Sequence, residues 1–211
     1  MAINLGSGFE NLLNNQTQNT QQSGGITLDL KKNDILDLTK RNPGLKHVML
    51  GAGWDISTNG SDFDLDIAAF LLDANNKFNT VSNVIFFNNK VGQGITLGED
   101  NRTGAGDGDD ETIQIDLGNI NPSIMKIVFV VTIHNAMEKR QTFGMINNSY
   151  IRLVDKDQNG KELCRFNLKE NGSTATSVIF AELNRDGSEW QFKAVGEGKI
   201  ADLNGILALY Q

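Results

Sequence analysis

Most of the chain after residue 25 carries its apolar residues in short alternating or continuous runs, a pattern typical of β-strands. Residues 26–30, 35–38 and 112–117 alternate apolar and polar positions, as expected for strands with one buried face. Residues 127–133 form a continuous run rich in Val and Ile, which indicates a central strand buried on both faces. Further strands are predicted at 48–50, 67–72, 84–87, 151–154, 163–166, 178–183 and 190–195.

Turn signals separate these runs. The pair Asn159-Gly160 lies between two predicted strands and predicts a tight β-hairpin. Residues 135–143 and 201–209 have the composition of short helices. Many short strands with turns between them predict a mainly all-β fold, a two-sheet β-sandwich with one or two short helices.

The first 25 residues differ from the rest of the chain. Residues 14–22 are a polar tract of Asn, Gln and Thr, and Ser23-Gly24-Gly25 follows. Such a segment has little apolar surface to bury, so residues 1–25 are predicted to be a disordered polar extension. Residues 26–211 are then the folded domain.

The acidic residues are unevenly distributed. Net charge is −7, and ten of the 26 acidic residues lie in two segments, 55–66 and 99–111, which leaves the remainder, with 19 Lys and Arg, slightly basic. This concentration suggests a cation as the partner. The chain has no Lys/Arg cluster that would indicate nucleic acid. A single cysteine, Cys164, and the lack of a recognisable secretion signal favour the cytoplasm.

The first acidic motif is Asp62-Phe63-Asp64-Leu65-Asp66. In an extended strand the three carboxylates share one face at intervals of roughly 7 Å, while Phe63 and Leu65 point into the core. Three like charges on an anchored face repel one another unless a cation compensates them. Taken alone, such a triplet also describes a solvated strand face.

The second acidic motif runs from Asn101 through a glycine-rich loop to Asp107, Asp109, Asp110 and Glu111. Glycines let the backbone curl and turn its carbonyl groups inward. Carboxylate, amide and carbonyl oxygens suit calcium, which takes six to eight oxygen ligands, better than zinc. The two motifs together therefore predict a calcium site, with magnesium or manganese as the next candidates.

A third acidic segment resembles a calcium loop but is interpreted otherwise. Residues 155–160 match the opening of an EF-hand loop, yet its twelfth position is Phe166 instead of Glu, and its flanks read as strands. It is therefore predicted to be a hairpin turn. His47, His134, Trp54, Trp190 and Cys164 are predicted to have structural roles.

Several motifs together resemble the TerD-type tellurium-resistance and stress-response family. They are Gly53-Trp54-Asp55, the acidic triplet, the segment 101–111, and the segments 131–134, 141–144, 151–153, 181–183 and 190–196. They follow the expected order over roughly residues 25–210. Two departures are the polar extension and Ala68-Ala69, where the family commonly has Ala-Ser.

The resemblance implies a β-sandwich with two neighbouring calcium ions, located in the cytoplasm and without established catalysis. Members of the family are associated with resistance to tellurite and with tolerance of phage and colicins. Protein partners in a stress-response complex are a further expectation. The implied metal ligands are Asp62, Asp64, Asp66, Asn101, Asp107, Asp109, Asp110 and Glu111, with Asp55 a weaker candidate.

Two other functions remain open from the residues. Clustered carboxylates also serve metal-dependent hydrolases, although no separate general base stands out. A calcium-switched module that binds protein or membrane is the other alternative. Direct membrane binding is not expected, because Arg102 is the one basic residue between Gly98 and Glu111.

Overall fold

A computed structural model of the protein describes residues 27–55, 63–98, 108–168 and 174–211. The predicted extension at 1–25 lies outside these ranges and stays a prediction. Within them, thirteen strands form two packed sheets, so the predicted β-sandwich is confirmed. No helix in these ranges is long and apolar enough to cross a bilayer.

The first sheet has the strand order β1-β11-β10-β3-β8-β7-β6. Its strands are β1 (Leu28–Leu30), β3 (His47–Asp55), β6 (Val91–Gly92), β7 (Ile95–Leu97), β8 (Glu111–Asp116), β10 (Asn147–Asp155) and β11 (Lys161–Asn167). Neighbouring strands are antiparallel except β1 and β11, which run parallel.

The second sheet has the order β2-β13-β12-β9-β4-β5, and its described pairs are all antiparallel. Its strands are β2 (Ile35–Asp37), β4 (Leu65–Leu72), β5 (Val84–Ile85), β9 (Lys126–Ile133), β12 (Ser177–Asp186) and β13 (Glu189–Lys199). Three short α-helices are described: α1 (Leu38–Arg41), α2 (Ala136–Lys139) and α3 (Leu203–Leu207). Single 3-10 turns lie at 81–83, 143–145 and 208–210.

Strand β9 is buried on both faces, as its sequence predicts. Phe129 and Val131 belong to the main core between the sheets, whereas Val128 and Val130 belong to a second apolar cluster on the other face. The chain's C-terminal end covers that second face, where the Tyr210 ring meets Phe70 edge to face at 5.8 Å. The middle of the second sheet is therefore covered on both faces.

Both sheets end in very short edge strands. Strands β1 and β2 are three residues long and are joined by residues 31–34. Strands β5 and β6, at the opposite edges, are two residues long and follow each other in the chain. Residues 86–90 connect them, with a bridge between Phe86 and Asn89.

Three local predictions differ from the structure. Leu38, predicted as the last residue of a strand, instead begins helix α1, because both the backbone and the side chain of Asn42 donate to the Leu38 carbonyl. The predicted helix at 135–143 is reduced to α2, because Asn135 and Arg140 adopt left-handed backbone conformations at its two ends. Strands β6 and β7 were not predicted, because Gln93-Gly94 and neighbouring glycines resemble a loop.

The hairpin predicted at Asn159-Gly160 is confirmed, and both residues have positive φ angles, of 54° and 76°. The Asp155 side chain is fully buried and accepts hydrogen bonds from the backbone N–H groups of Asp157 and Gln158. This carboxylate therefore closes the turn itself, which agrees with the rejection of an EF-hand.

Asp157 ties the same turn to the start of β3. Its carboxylate accepts the backbone N–H groups of Lys46 and His47, and its Oδ1 lies 2.7 Å from His47 Nδ1. The other ring nitrogen, Nε2, lies 3.6 Å from Asp116. The hydrogen bond to Asp157 and the charges of both carboxylates raise the pKa of His47, against burial and the charge of Lys46.

We expect this histidine to make stability depend on pH. A raised pKa in the folded state means that the stabilisation is complete below the ordinary value of 6.5 and is lost as pH rises through the folded pKa. His47 hydrogen bonds also help to lower the pKa of Asp157 to about 2, so its contribution is lost only in strong acid. The melting temperature of the wild type should fall relative to His47→Gln between pH 6 and 8. A constant difference would contradict this role.

Candidate metal centre

The first acidic motif opens β4. Phe63 and Leu65 are buried in the main core, while Asp64 and Asp66 are half-buried on the opposite face, so the predicted alternation is confirmed for these four residues. Asp62 lies outside the described residues. The two described carboxylates of this motif thus belong to the outer face of the second sheet.

His134 lies beside this acidic face. Its backbone N–H donates to the Asp64 carbonyl at 2.8 Å, and its Nδ1 is 3.4 Å from Asp66 Oδ2. The sequence suggested a structural histidine but did not place it here. Antiparallel pairing of β4 with β9 explains the position, because Leu65 pairs with Ile133, the residue before His134.

The second acidic motif enters the first sheet at β8. Glu111 pairs with Ala52 of β3 and is buried with 3% of its surface exposed, on the core-facing side of the strand with Ile113 and Ile115. Asp110 is also buried. Its N–H donates to the Ala52 carbonyl at 2.8 Å, and its Oδ2 accepts the Trp54 N–H at 3.0 Å.

Asp110 resists ionisation in this environment. Burial raises the pKa of its carboxyl, the hydrogen bond from Trp54 opposes that rise, and the charges of Asp109 and Asp55 add to it. Asp55 is exposed at the end of β3 and accepts a hydrogen bond from Asn148 Nδ2 at 2.6 Å. The described structure therefore brings Asp55, Asp109 and Asp110 together, and their negative charges repel.

Asp109 points in a different direction from its neighbours. It lies over Gly51 on the outer face of the first sheet, where Arg152 Nε and Nη2 contact its two oxygens at 2.8 to 3.0 Å. The Tyr150 hydroxyl donates to the Gly108 carbonyl at 2.8 Å. The sequence analysis did not identify Arg152 or Tyr150 as functional residues. The Gly51-x-Gly53 spacing was the available clue, because it leaves one face of β3 without side chains and open to side chains from other strands.

The two acidic motifs lie at one end of the sandwich. Strand β3 ends at Asp55 in the first sheet, and the next strand, β4, begins at Leu65 in the second sheet. Trp54 and Phe63 are both buried in the core at this end. Within the described ranges, no three Asp, Glu, His or Cys side chains converge tightly enough to hold a metal by themselves. The ligand candidates Asp62, Asn101 and Asp107 lie outside those ranges.

The donor groups at this end fit a hard cation. Asp55, Asp64, Asp66, Asp110 and Glu111 offer carboxylate oxygens, the ligand type that calcium prefers. A positive ion would also offset the burial and the neighbouring negative charges that raise the pKa of Asp110. Asp109 fits less well, because Arg152 already contacts both of its oxygens.

Comparison with known proteins connects this fold and these motifs to one family. The family model described as TerD domain matches residues 26–210. A tellurium resistance protein TerD from Serratia marcescens is 45% identical over 188 residues, 88% of this chain and 97% of that protein. General stress protein 16U from Bacillus subtilis is 43% identical over 189 residues, with 88% and 97% covered.

A solved structure gives the same result at the level of the fold. The crystal structure of a homologue of telluride resistance protein (TerD) from Streptomyces coelicolor superposes with a TM-score of 0.65 at 26% sequence identity. The match covers 78% of this chain and 96% of that one. With a domain match over nearly the whole folded region and relatives above 40% identity, this chain belongs to the TerD domain family.

Proposed function

We propose that this chain is a non-enzymatic, calcium-binding stress-response protein whose acidic end holds two calcium ions. The names of its relatives, tellurium resistance protein and general stress protein, support the stress-response part. The observation that carries the calcium part is the burial of Asp110 and Glu111 next to each other, with Asp55 close to Asp110. Burying carboxylate charge is costly, and a cation bound by these oxygens would offset that cost.

The residues that would hold the ions come from both motifs. Asp110, Glu111 and Asp55 offer oxygens from the first sheet, and Asp64 and Asp66 offer oxygens from the second. Asp62, Asn101 and Asp107 are proposed ligands outside the described residues. When bound, calcium would supply positive charge beside these carboxylates and so stabilise this end of the sandwich.

We expect calcium to raise the melting temperature of the wild type. An ion that binds the folded state alone stabilises it by about 2.7 kcal/mol at a free concentration 100 times its Kd. The double variant Asp110→Asn/Glu111→Gln should lose this stabilisation and most of the heat of binding. Melting curves and calorimetry with calcium and magnesium measure both effects.

The control is Asp186→Asn, which removes one exposed charge in the turn between β12 and β13, far from the acidic end. It should bind calcium as the wild type does. Asp110→Asn retains an acceptor for the Trp54 N–H and removes a repulsive charge, so the metal-free variant should be at least as stable as the wild type. If calcium changes neither heat nor melting temperature in the wild type, the calcium proposal is wrong. Metal-dependent phosphodiester hydrolysis that Asp110→Asn abolishes would support the hydrolase instead.

A further inference from the structure

Asp109 is a nearly buried carboxylate whose partner is a cation of the chain itself. Its side chain is 5% exposed. Arg152 Nε lies 2.8 and 3.0 Å from its two oxygens, and Nη2 lies 2.9 Å from Oδ2. A two-point contact between guanidinium and carboxylate fixes orientation as well as charge.

The surface of β3 is shaped to receive these side chains. A Cβ atom on Gly51 would lie 2.2 Å from Asp109 Oδ2, and a Cβ on Gly53 would lie 2.5 Å from the Tyr150 ring. Arg152 and Tyr150 are the β10 residues that pair with these two glycines. Because Gly51 and Gly53 have no side chains, Asp109 and Tyr150 can pack against the outer face of β3 within reach of their partners.

The partners of Asp109 are themselves held in place. Glu162 of β11 contacts Arg152 Nη1 at 3.0 Å and Arg165 Nε at 3.0 Å. The Arg165 guanidinium lies 4.1 Å from the centre of the Tyr150 ring, and the Tyr150 hydroxyl returns to the Gly108 carbonyl and to Asp109. These contacts form a closed ring that joins β10, β11 and the segment before β8, so Arg152 has little freedom to leave Asp109.

From this geometry we propose that Asp109 anchors the acidic loop instead of binding metal, and that Arg152 and Tyr150 are positioning residues for the proposed calcium site. The inference rests on the proposed function. With Gly108 and Asp109 fixed to the outer face, the next two residues are held in place as well, because Asp110 Oδ2 accepts the Trp54 backbone N–H and Glu111 follows the core-facing positions of β8. The anchor thus sets in advance the geometry of the carboxylates that would hold the ion.

The opposite interpretation makes Arg152 a competitor. If Asp109 were a calcium ligand, Arg152 would have to release it. Removing Arg152 would then free the Asp109 carboxylate for the ion and would also remove a positive charge that repels calcium. Arg152→Gln would then bind calcium as tightly as the wild type or more tightly. The anchor predicts the reverse sign, weaker binding by about tenfold or more, the usual effect of removing a partner that orients metal ligands.

The test combines amide hydrogen exchange of the metal-free protein with calcium calorimetry. Arg152→Gln should speed exchange over residues 108–111 and weaken calcium binding. Arg152→Lys, which keeps the charge without the two-point contact, should have an intermediate effect. Arg41→Gln removes an equal charge from an exposed site in α1 and should change neither.

The double variant Asp109→Asn/Arg152→Gln controls for a loss of folding in Arg152→Gln, because it removes both charges of the pair and leaves no uncompensated buried charge. It should weaken calcium binding about as much as Arg152→Gln alone, since both changes remove the same anchor. Tighter or unchanged calcium binding by Arg152→Gln, or unchanged exchange at 108–111, would overturn the anchor. A wild type that binds no calcium, together with faster exchange in Arg152→Gln, would refute the proposed function while leaving the anchoring of the loop intact.

Discussion

Replacing Phe129 by alanine is expected to lower the free energy of unfolding by about 4 kcal/mol and the melting temperature by roughly 10 °C. The ring is fully buried in the main core, on the central strand β9. Its neighbours in register are Ala69 on β4 and Ala181 on β12, so one large side chain fills the space that two small ones leave. Truncation would place three alanines side by side, and a sheet covered on both faces cannot easily collapse into the resulting cavity.

Urea unfolding at equilibrium measures this effect, and an unchanged m-value would show that the denatured state is the same. The matched control is Phe87→Ala, because Phe87 is 43% exposed and its removal opens no enclosed cavity. The control should cost about 1 kcal/mol or less. Equal losses in the two variants would show that Phe129 does not hold the sheets together as its burial indicates.

The second large effect is expected at Gly51. In Gly51→Ala the new methyl group would meet the Asp109 carboxylate at 2.2 Å, so the carboxylate must leave its place over β3. When the carboxylate moves, it loses its two-point contact with Arg152 in a nearly buried position. Breaking such an ion pair lowers the free energy of unfolding by about 3 kcal/mol. Denaturant unfolding of the metal-free variant measures this loss.

Gly118→Ala is the control for the glycine substitution itself. Its new Cβ would make only an ordinary contact, 3.4 Å from Asp116 Oδ1, so stability should stay within about 0.5 kcal/mol of the wild type. If Gly51→Ala were equally harmless, Asp109 would be free to move without cost. The contacts around Arg152 would then contribute little to the free energy of unfolding.

The strands that are easiest to predict from the sequence are those buried on both faces and those with a single face turned to the core. The run around Phe129 marks a strand covered on both faces, and the alternation around Phe63 marks one face turned to the core. Strand β3 was predicted to be short because Gly51 and Gly53 are unfavourable in strands. They are tolerated because side chains from other elements take the space of their missing Cβ atoms. No local pattern contains that information.

The candidate site shows the same limit. The residue types, clustered carboxylates beside a glycine-rich segment, can be read from the sequence and indicate a hard cation. The different directions of Asp109 and Asp110 cannot, because they depend on a partner 43 positions along the chain. That partner, Arg152, reaches Asp109 only through the register of β10 on β3. Long-range register decides which carboxylate faces the core and which faces the strand surface.

The short strands at the sheet edges bear on how the protein behaves at high concentration. An exposed edge presents unpaired N–H and C=O groups that can recruit another chain and begin aggregation. Here the edge strands of the described sandwich offer only two or three residues each, and on both sides the chain passes directly from the edge of one sheet to the edge of the other. Few backbone groups are therefore available in line to template a growing fibre. The arrangement of the edges therefore favours a chain that stays dispersed at high concentration.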